Sequence, residues 1–195
     1  MNEVAAAYDR IAAWFDRTRT RALIERPCLE ALTGALTPGA SILDLGCGTG
    51  DPILRYLVER GYEVVGVDAS AAMIAIARAR FPNTAFMVGD MRDLQLGRRF
   101  DAIVAWHSLF HLSANDQRAL FAILARHLRP GGILMFTSGN AEGETWSENG
   151  GELLYHASLG PGEYRSLLAA QGFRILRHAV DDAACGGATV WIAAV

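Results

Sequence analysis

The stretch Ile42-Leu-Asp-Leu-Gly-Cys-Gly-Thr-Gly50 decides the fold, because an apolar strand-like run passes directly into three glycines at alternate positions. A turn of this composition between a strand and a helix lets a ligand press against bare backbone. The dinucleotide fingerprint G-x-G-x-x-G needs a third glycine at position 51, where this chain has Asp51. An acid there would sit where a pyrophosphate binds, so the spacing argues against NAD.

Short apolar strands and amphipathic helices alternate on both sides of this turn. Strands are predicted at 41–45, 63–67, 84–88, 100–106 and 133–137, and helices at 52–60, 71–80 and 115–129. Ser70 and Ser113 are predicted to cap two of these helices. Strands without polar alternation are typical of a parallel sheet whose two faces are covered by helices.

The two ends of the chain follow different patterns. Residues 2–36 predict two helices, with a kink at Pro27. Near the other end, residues 140–151 are polar and Gly-rich, and 161–171 predict a helix closed by Gly172. The last two predicted strands, 173–180 and 189–195, lie too close together for a helical crossover, so we expect them to be antiparallel.

Composition excludes several kinds of chemistry. The chain has 195 residues, of which 51% are hydrophobic and 20% charged, as expected for one globular domain. All 18 basic residues are Arg, so a GKS-type phosphate loop, a Schiff base and pyridoxal-phosphate catalysis are excluded. The net charge of −3 disfavours a nucleic-acid partner.

Cysteine content and hydropathy bear on location. Cys28, Cys47 and Cys185 are too few and too widely spaced for a disulfide framework or a four-thiolate metal site. We therefore expect a reducing, cytoplasmic setting. The longest uncharged run, 102–115, contains two His, two Ser and an Asn, so neither a membrane span nor an export signal is expected.

Acidic residues recur at the predicted carboxyl ends of successive strands. They are Asp44, Asp51, Asp68, Asp90 and Asp93. Taken singly, each is as well explained as a helix cap or turn residue. Together, along the edge where open α/β sheets bind ligands, they would repel phosphates and favour a cationic ligand rich in hydrogen-bond donors. S-adenosylmethionine has a sulfonium, an ammonium, two ribose hydroxyls and an adenine amine.

The glycine turn and four further motifs strengthen this interpretation. They are Asp44-Leu-Gly-Cys-Gly-Thr-Gly50, Val64-Val-Gly-Val-Asp68-Ala-Ser, Gly89-Asp90-Met91, Phe100-Asp101-Ala-Ile-Val and Leu128-Arg-Pro-Gly-Gly-Ile-Leu. In order and spacing they resemble class I S-adenosylmethionine-dependent methyltransferases. The stretch Tyr8-Asp-Arg-Ile-Ala-Ala-Trp-Phe-Asp16 is similar to the N-terminal cover of members that act on small molecules.

The resemblance covers roughly residues 8–195 and implies a fold. That fold is a Rossmann-like, doubly wound α/β sheet of seven strands with the last antiparallel and with helices on both faces. We expect a single methyltransferase domain over 1–195. It would comprise a helical cover (1–36), a cofactor-binding core (41–138) and a substrate-side segment (139–195) that holds the last helix and the final strand pair.

The resemblance also implies roles for residues of the core. Gly46 and Gly48 would contact S-adenosylmethionine through their backbone, Asp44 would order its amino acid end, and Asp68 would hold the ribose hydroxyls. Asp90 and Met91 would flank the adenine. Further cofactor contacts are expected from Tyr8, Cys47, Ala69, Met73 and Trp106. Met73 is also explained as a core residue, and Cys47 as a small space-filling residue rather than a nucleophile.

Aromatic residues and histidines mark the predicted acceptor side. Substrate contacts are expected from Trp14, Phe110, Trp146 and Tyr155. His111, His107 and His156 are the candidate general bases, although each is equally explained as a structural histidine. The four-residue spacing of His107 and His111 would suit metal ligands on a helix, but no Cys or third His is close in sequence, so no metal is predicted.

The sequence therefore predicts an enzyme that transfers a methyl group from S-adenosyl-L-methionine to a small organic acceptor and leaves S-adenosyl-L-homocysteine. The methylated atom stays open among N, O, S and C. An Asn-Pro-Pro-Tyr motif is absent after the fourth strand, which argues against nucleic-acid bases. We expect a monomer or homodimer without a membrane partner. The alternatives are a non-catalytic S-adenosylmethionine-binding subunit and an NAD-dependent oxidoreductase.

Overall fold

The computed structural model describes residues 3–195. Its helices are α1 (Glu3–Thr18), α2 (Arg26–Thr33), α3 (Ile53–Glu59), α4 (Ala71–Arg80), α5 (Ala114–His127) and α6 (Pro161–Ala170). Its strands are β1 (Ser41–Leu45), β2 (Glu63–Asp68), β3 (Ala85–Val88), β4 (Phe100–Ala105), β5 (Leu128–Ser138), β6 (Gly143–Asn149), β7 (Glu152–Ser158), β8 (Arg174–Asp182) and β9 (Ala188–Ala194). Residue 2, where the first predicted helix begins, lies outside the described residues.

Seven strands form one sheet in the order β3-β2-β1-β4-β5-β9-β8. Strands β1 to β5 are parallel, and β9 runs antiparallel to both β5 and β8. This confirms the predicted Rossmann-like sheet with its antiparallel end. The chain reverses its winding direction between β1 and β4, and open α/β sheets bind ligands outside the carboxyl ends of the strands at such a point.

The sheet separates two apolar layers. Alternate residues of β1 point to opposite faces, so Ile42 packs with α2 and α3 while Leu43 packs with α5 and α6. Both layers exclude water, and all five residues of β1 are buried. The site at the end of β1 is therefore supported by rigid, fully packed backbone.

Local signals correctly placed the beginnings of α4 and α5, whereas the predicted helix 115–129 ends at His127, because β5 begins at Leu128. The Ser70 hydroxyl accepts a hydrogen bond from Met73 N (3.1 Å), and the Ser113 hydroxyl accepts one from Asp116 N (3.2 Å). The predicted kink at Pro27 is wrong. Pro27 lies in the first turn of α2, where its missing N–H has no helical partner to lose.

The polar segment before residue 151 contains a strand that the sequence analysis missed. Strands β6 and β7 pair as a separate antiparallel hairpin. Its turn residues, Gly150 and Gly151, have φ values of 59° and 87°, as a two-residue type I′ turn requires. The sequence Gly150-Gly151 was the local signal. On its inner face the hairpin carries Leu154, which packs against Val4 and Ala7 of α1.

Cys28 and Cys185 form a disulfide, which the sequence analysis did not expect. The bond joins α2 to the turn between β8 and β9, and both side chains are buried. The two residues are 157 positions apart, so only the packing of α2 on that turn brings them together. Cys47 is a free thiol. No helix among residues 3–195 has the length and apolar content needed to cross a bilayer.

Candidate active site

A cleft of about 1140 Å³, including its open mouth, lies at the carboxyl ends of β1, β2 and β4 beneath α1. It brings together all the predicted cofactor residues, namely Tyr8, Asp44, Gly46, Cys47, Gly48, Asp68, Ala69, Met73, Asp90, Met91 and Trp106. Of the predicted catalytic and substrate residues, His107, Phe110, His111 and His156 also line it.

The glycine turn forms a bare backbone wall of this cleft. Gly46 has a φ of 79°, and a Cβ there would lie 2.2 Å from Ser108 Cβ, so only glycine fits. The Ser108 hydroxyl is itself fixed because it donates to the Leu45 carbonyl at 2.7 Å. A Cβ on Gly48 would meet nothing closer than the Phe15 ring at 4.0 Å, so this position opens into the cleft.

Two carboxylates stand beside this wall. Asp68 accepts hydrogen bonds from Gly48 N (2.8 Å) and Ser70 N (2.9 Å), which holds it at the end of β2. Burial raises the pKa of Asp68. Burial and the nearby charge of Asp68 raise the pKa of Asp44 to about 7. Because both acids are costly to ionise here, a cationic ligand placed between them would be strongly favoured.

The other two acids of the cleft are already neutralised, which corrects the expectation of a uniformly negative edge. Asp51 binds Arg55 at 2.5 Å and Arg80 at 3.0 Å. Asp90 binds Arg92 at 2.6 Å. The net negative field in the cleft therefore comes from the ends of β1 and β2, and not from four equal charges.

Aromatic and imidazole rings form the far end of the cleft. The Tyr8 hydroxyl lies 3.0 Å from His111 Nε2, and His111 Nδ1 lies 2.9 Å from the Tyr155 carbonyl oxygen. A carbonyl only accepts, so Nδ1 carries the ring proton and Nε2 accepts from Tyr8. The Phe110 ring stacks on His156 with centroids 5.1 Å apart.

These rings are uncharged at neutral pH. Burial lowers the pKa of His111 to about 4, and it also lowers the pKa of His156. His107 is open to the cleft, yet desolvation by the cleft walls, with a further contribution from the charge of Arg19, lowers its pKa to about 4. Burial raises the pKa of Tyr8 to about 12. The far end therefore presents hydrogen-bonding rings without charge.

Three predicted substrate residues do not line the cleft. Trp146 and Tyr155 are opposite each other across β6 and β7, on the hairpin face turned away from His156, and Trp146 is 57% exposed. Trp14 packs over Gly150 at the hairpin turn. The sequence showed that these rings are near in the chain to cleft residues, but strand alternation directs Trp146 and Tyr155 to the other face of the hairpin. Asp93 also lies outside the cleft lining.

Arg19 and Phe15, which were not predicted from the sequence, line the cleft from the end of α1 and the residue after it. Arg19 Nε donates to the Asp51 carbonyl oxygen at 3.1 Å, and its guanidinium lies 5.4 Å from the centre of the Phe15 ring. The four-residue spacing of Phe15 and Arg19, on the helical face that carries Tyr8, was the available signal.

Comparison with known proteins identifies the family. A family model described as a methyltransferase domain matches residues 42–132. The chain is 39% identical over 136 residues to dTDP-3-amino-3,6-dideoxy-alpha-D-glucopyranose N,N-dimethyltransferase from Streptomyces fradiae, covering 68% of this chain and 52% of that protein. It is 32% identical over 176 residues to malonyl-[acyl-carrier protein] O-methyltransferase from Serratia marcescens, covering 86% and 66%. The chain belongs to the class I S-adenosylmethionine-dependent methyltransferases.

A solved structure agrees with this methyltransferase in fold. CalS10, an amino pentose methyltransferase from Micromonospora echinaspora solved with bound S-adenosylmethionine, superimposes with a TM-score of 0.74 at 21% identity and covers 94% of each chain. The chain spans about half the length of the first curated relative. These relatives lend no support to the NAD-dependent or non-catalytic alternatives.

The methyltransferase cleft fits the family's cofactor, S-adenosylmethionine. Its positive-φ glycines leave open backbone, since a side chain at Gly48 would fill the space that a ligand needs. Its paired buried acids, Asp44 and Asp68, suit a molecule that carries a sulfonium and an ammonium. A diphosphate at the same place would be repelled.

Proposed function

We propose that this chain transfers a methyl group from S-adenosylmethionine to a small organic acceptor. One observation carries the proposal. A single cleft joins the glycine turn and two buried acids, Asp44 and Asp68, to an uncharged ring-lined end around His111. Donor and acceptor would thus share one cavity. Holding two reactants in line in this way contributes several kcal/mol to catalysis, up to about 7 to 11.

The cofactor would be held by the residues of the core. Gly46 and Gly48 would offer backbone, Asp44 would bind the amino acid end, Asp68 the ribose hydroxyls, and Asp90 with Met91 the adenine. Arg19, beside the glycine turn, is placed for the carboxylate. Cys47, Ala69, Met73, Trp106 and Tyr8 would complete the pocket by packing. The bound cofactor supplies an electrophilic methyl group on a sulfonium.

The chain's own contribution to proton movement would lie at Tyr8 and His111. The Tyr8 hydroxyl donates to His111 Nε2, so its oxygen is free to accept the proton of an acceptor N–H or O–H. His111 would take the Tyr8 proton, and the Tyr155 carbonyl would stabilise the resulting imidazolium. His156 is held by Ser147 at 2.8 Å and His107 stands at the cleft wall, so we assign both to positioning the acceptor.

We propose the same three functional parts as the sequence predicts. Residues 1–36 would cover the cofactor, 41–138 would bind it, and 139–195 would contribute the acceptor side. The hairpin supports this division because His156 of β7 reaches the cleft while Leu154 packs on α1.

The experiment that tests the activity uses ligand binding and product detection together. S-adenosylhomocysteine should raise the melting temperature of the protein, and NAD should not. Methyl-labelled S-adenosylmethionine incubated with the protein and a small-molecule cell extract should then yield a labelled product. Stabilisation by NAD alone would refute the proposal. Cofactor binding without any labelled product would support the non-catalytic alternative.

Two variants test the proton path. Tyr8→Phe and His111→Gln should each lower kcat on the order of 100-fold, because general acid–base catalysis contributes about that much or more. Affinity for S-adenosylhomocysteine should change far less in His111→Gln. Tyr62→Phe is the matched control, since the Tyr62 hydroxyl bonds the Thr33 carbonyl away from the cleft. An unchanged kcat in both variants would show that Tyr8 and His111 take no part in proton transfer.

A further inference from the structure

The charged side chains of the cleft all belong to its cofactor half. Among the described residues that line it, these are Arg19, Asp44, Asp51, Asp68 and Asp90. Asp51 and Asp90 are paired with arginines outside the lining. Arg19 is bonded to the backbone of the glycine turn. The acceptor half is therefore left without a carboxylate or guanidinium of its own.

Five rings in mutual contact define that acceptor half. Phe110 is central, with its ring centre 5.6 Å from that of His107, 4.8 Å from that of His111 and 5.1 Å from that of His156. Tyr8 is the fifth ring, and its centre lies 5.4 Å from that of His111. Each of these rings also lines the cleft, so a bound molecule would meet ring faces and edges on several sides.

We propose that the acceptor is a neutral, planar aromatic compound that binds against Phe110 and the imidazoles of His107 and His156. The inference rests on the proposed function and names its substrate class. Offset and edge-to-face ring contacts favour a flat partner. The imidazole nitrogens and the Tyr8 hydroxyl would orient its N–H or O–H group.

Charged acceptors fit this half poorly. An ammonium would lose its hydration with no carboxylate among the five rings to replace it. A diphosphate or carboxylate would find only the guanidinium of Arg19, which is already bonded to the Asp51 carbonyl oxygen and lies over the Phe15 ring. Arg10 of α1 is bound to Glu152 at 2.6 Å. Sugar nucleotides, named for some curated relatives, are therefore not the class that this half predicts.

Four probes with the same fused bicyclic carbon skeleton separate charge from ring character. They are 2-naphthol, 2-naphthoate, 2-(aminomethyl)naphthalene and decahydro-2-naphthol, titrated by calorimetry at pH 7.5 into the protein saturated with S-adenosylhomocysteine. We expect 2-naphthol to bind at least 10-fold more tightly than the anion, the cation and the saturated alcohol. Equal or tighter binding of any of these three, or no binding of 2-naphthol, would overturn the proposal.

Two variants test whether 2-naphthol binds against Phe110. Phe110→Leu keeps an apolar side chain but removes the ring, and it should weaken 2-naphthol at least 10-fold while S-adenosylhomocysteine binds as before. Leu176→Ala, on an exposed position of β8, is the control. Unaltered 2-naphthol binding in Phe110→Leu would contradict the proposal. If the cofactor product itself does not bind, the proposed function fails; if it binds and an aliphatic acceptor is methylated, only this inference fails.

Discussion

At the residue scale, Asp68 combines two tasks. It holds Gly48 and Ser70 through backbone hydrogen bonds, and it faces the cleft at the end of β2. Asp68→Asn should lower affinity for S-adenosylhomocysteine by about 1.5–3 kcal/mol, because a charge-assisted hydrogen bond is lost. Titration calorimetry measures this directly. Glu63→Gln, at the exposed opposite end of the same strand, should leave the affinity unchanged. If Asp68→Asn binds S-adenosylhomocysteine as tightly as the unmodified protein does, Asp68 does not bind the ribose.

The lowered pKa of His111 predicts how the stability of the fold depends on pH. Its pKa is about 4 in the folded protein and 6.5 ordinarily, so the unfolded chain binds more protons between these values. Stability is therefore full above pH 6.5 and falls as pH drops toward 4, by up to about 3 kcal/mol. Asp44 acts in the opposite sense, since its raised pKa favours folding as pH falls from 7.

A variant of His111 separates its contribution to the pH dependence of stability from that of Asp44. In His111→Gln, where Asp44 is kept, the stability lost between pH 6.5 and 4.5 should be smaller than in the unmodified protein. Urea unfolding at several pH values in this range measures the difference. If the two proteins lose stability equally, His111 does not carry the shift.

At the element scale, the hairpin β6–β7 holds α1 over the cleft. Leu154 packs on Val4 and Ala7, whereas its neighbour Leu153 is 64% exposed. Leu154→Ala should remove about 2–4 kcal/mol of packing, speed hydrogen exchange in α1 and weaken S-adenosylhomocysteine binding. Leu153→Ala should change neither quantity. Equal exchange in both variants would show that α1 stays in place without the hairpin.

At the scale of the whole molecule, the disulfide joins the cover to the far end of the chain. Because Cys28 and Cys185 are 157 residues apart, the bond restricts the unfolded chain over most of its length. Reduction should lower the free energy of unfolding by about 2–5 kcal/mol. Thermal unfolding with and without a thiol reductant measures this, and the double variant Cys28→Ser, Cys185→Ser should not respond to the reductant. An equal response of the two proteins would mean that the bond does not form in solution.

The sequence by itself determined what is local in the chain. It determined strand β1, the caps Ser70 and Ser113, and the glycine turn with Asp44 and Asp68 at strand ends, because each depends on neighbours within a few positions. It also determined the sheet class, since buried strands alternating with amphipathic helices leave few topologies.

Only the tertiary structure decided which charged side chains of the cleft are paired with other charges and which rings line the cleft. Asp51 is neutralised by Arg80, Arg19 turns into the cleft, and Cys28 meets Cys185 across the fold. Trp146 points outward because the register of β6 against β7 places it opposite Tyr155, on the hairpin face turned away from His156. These outcomes depend on contacts between residues far apart in sequence, and such contacts exist only once the elements have packed.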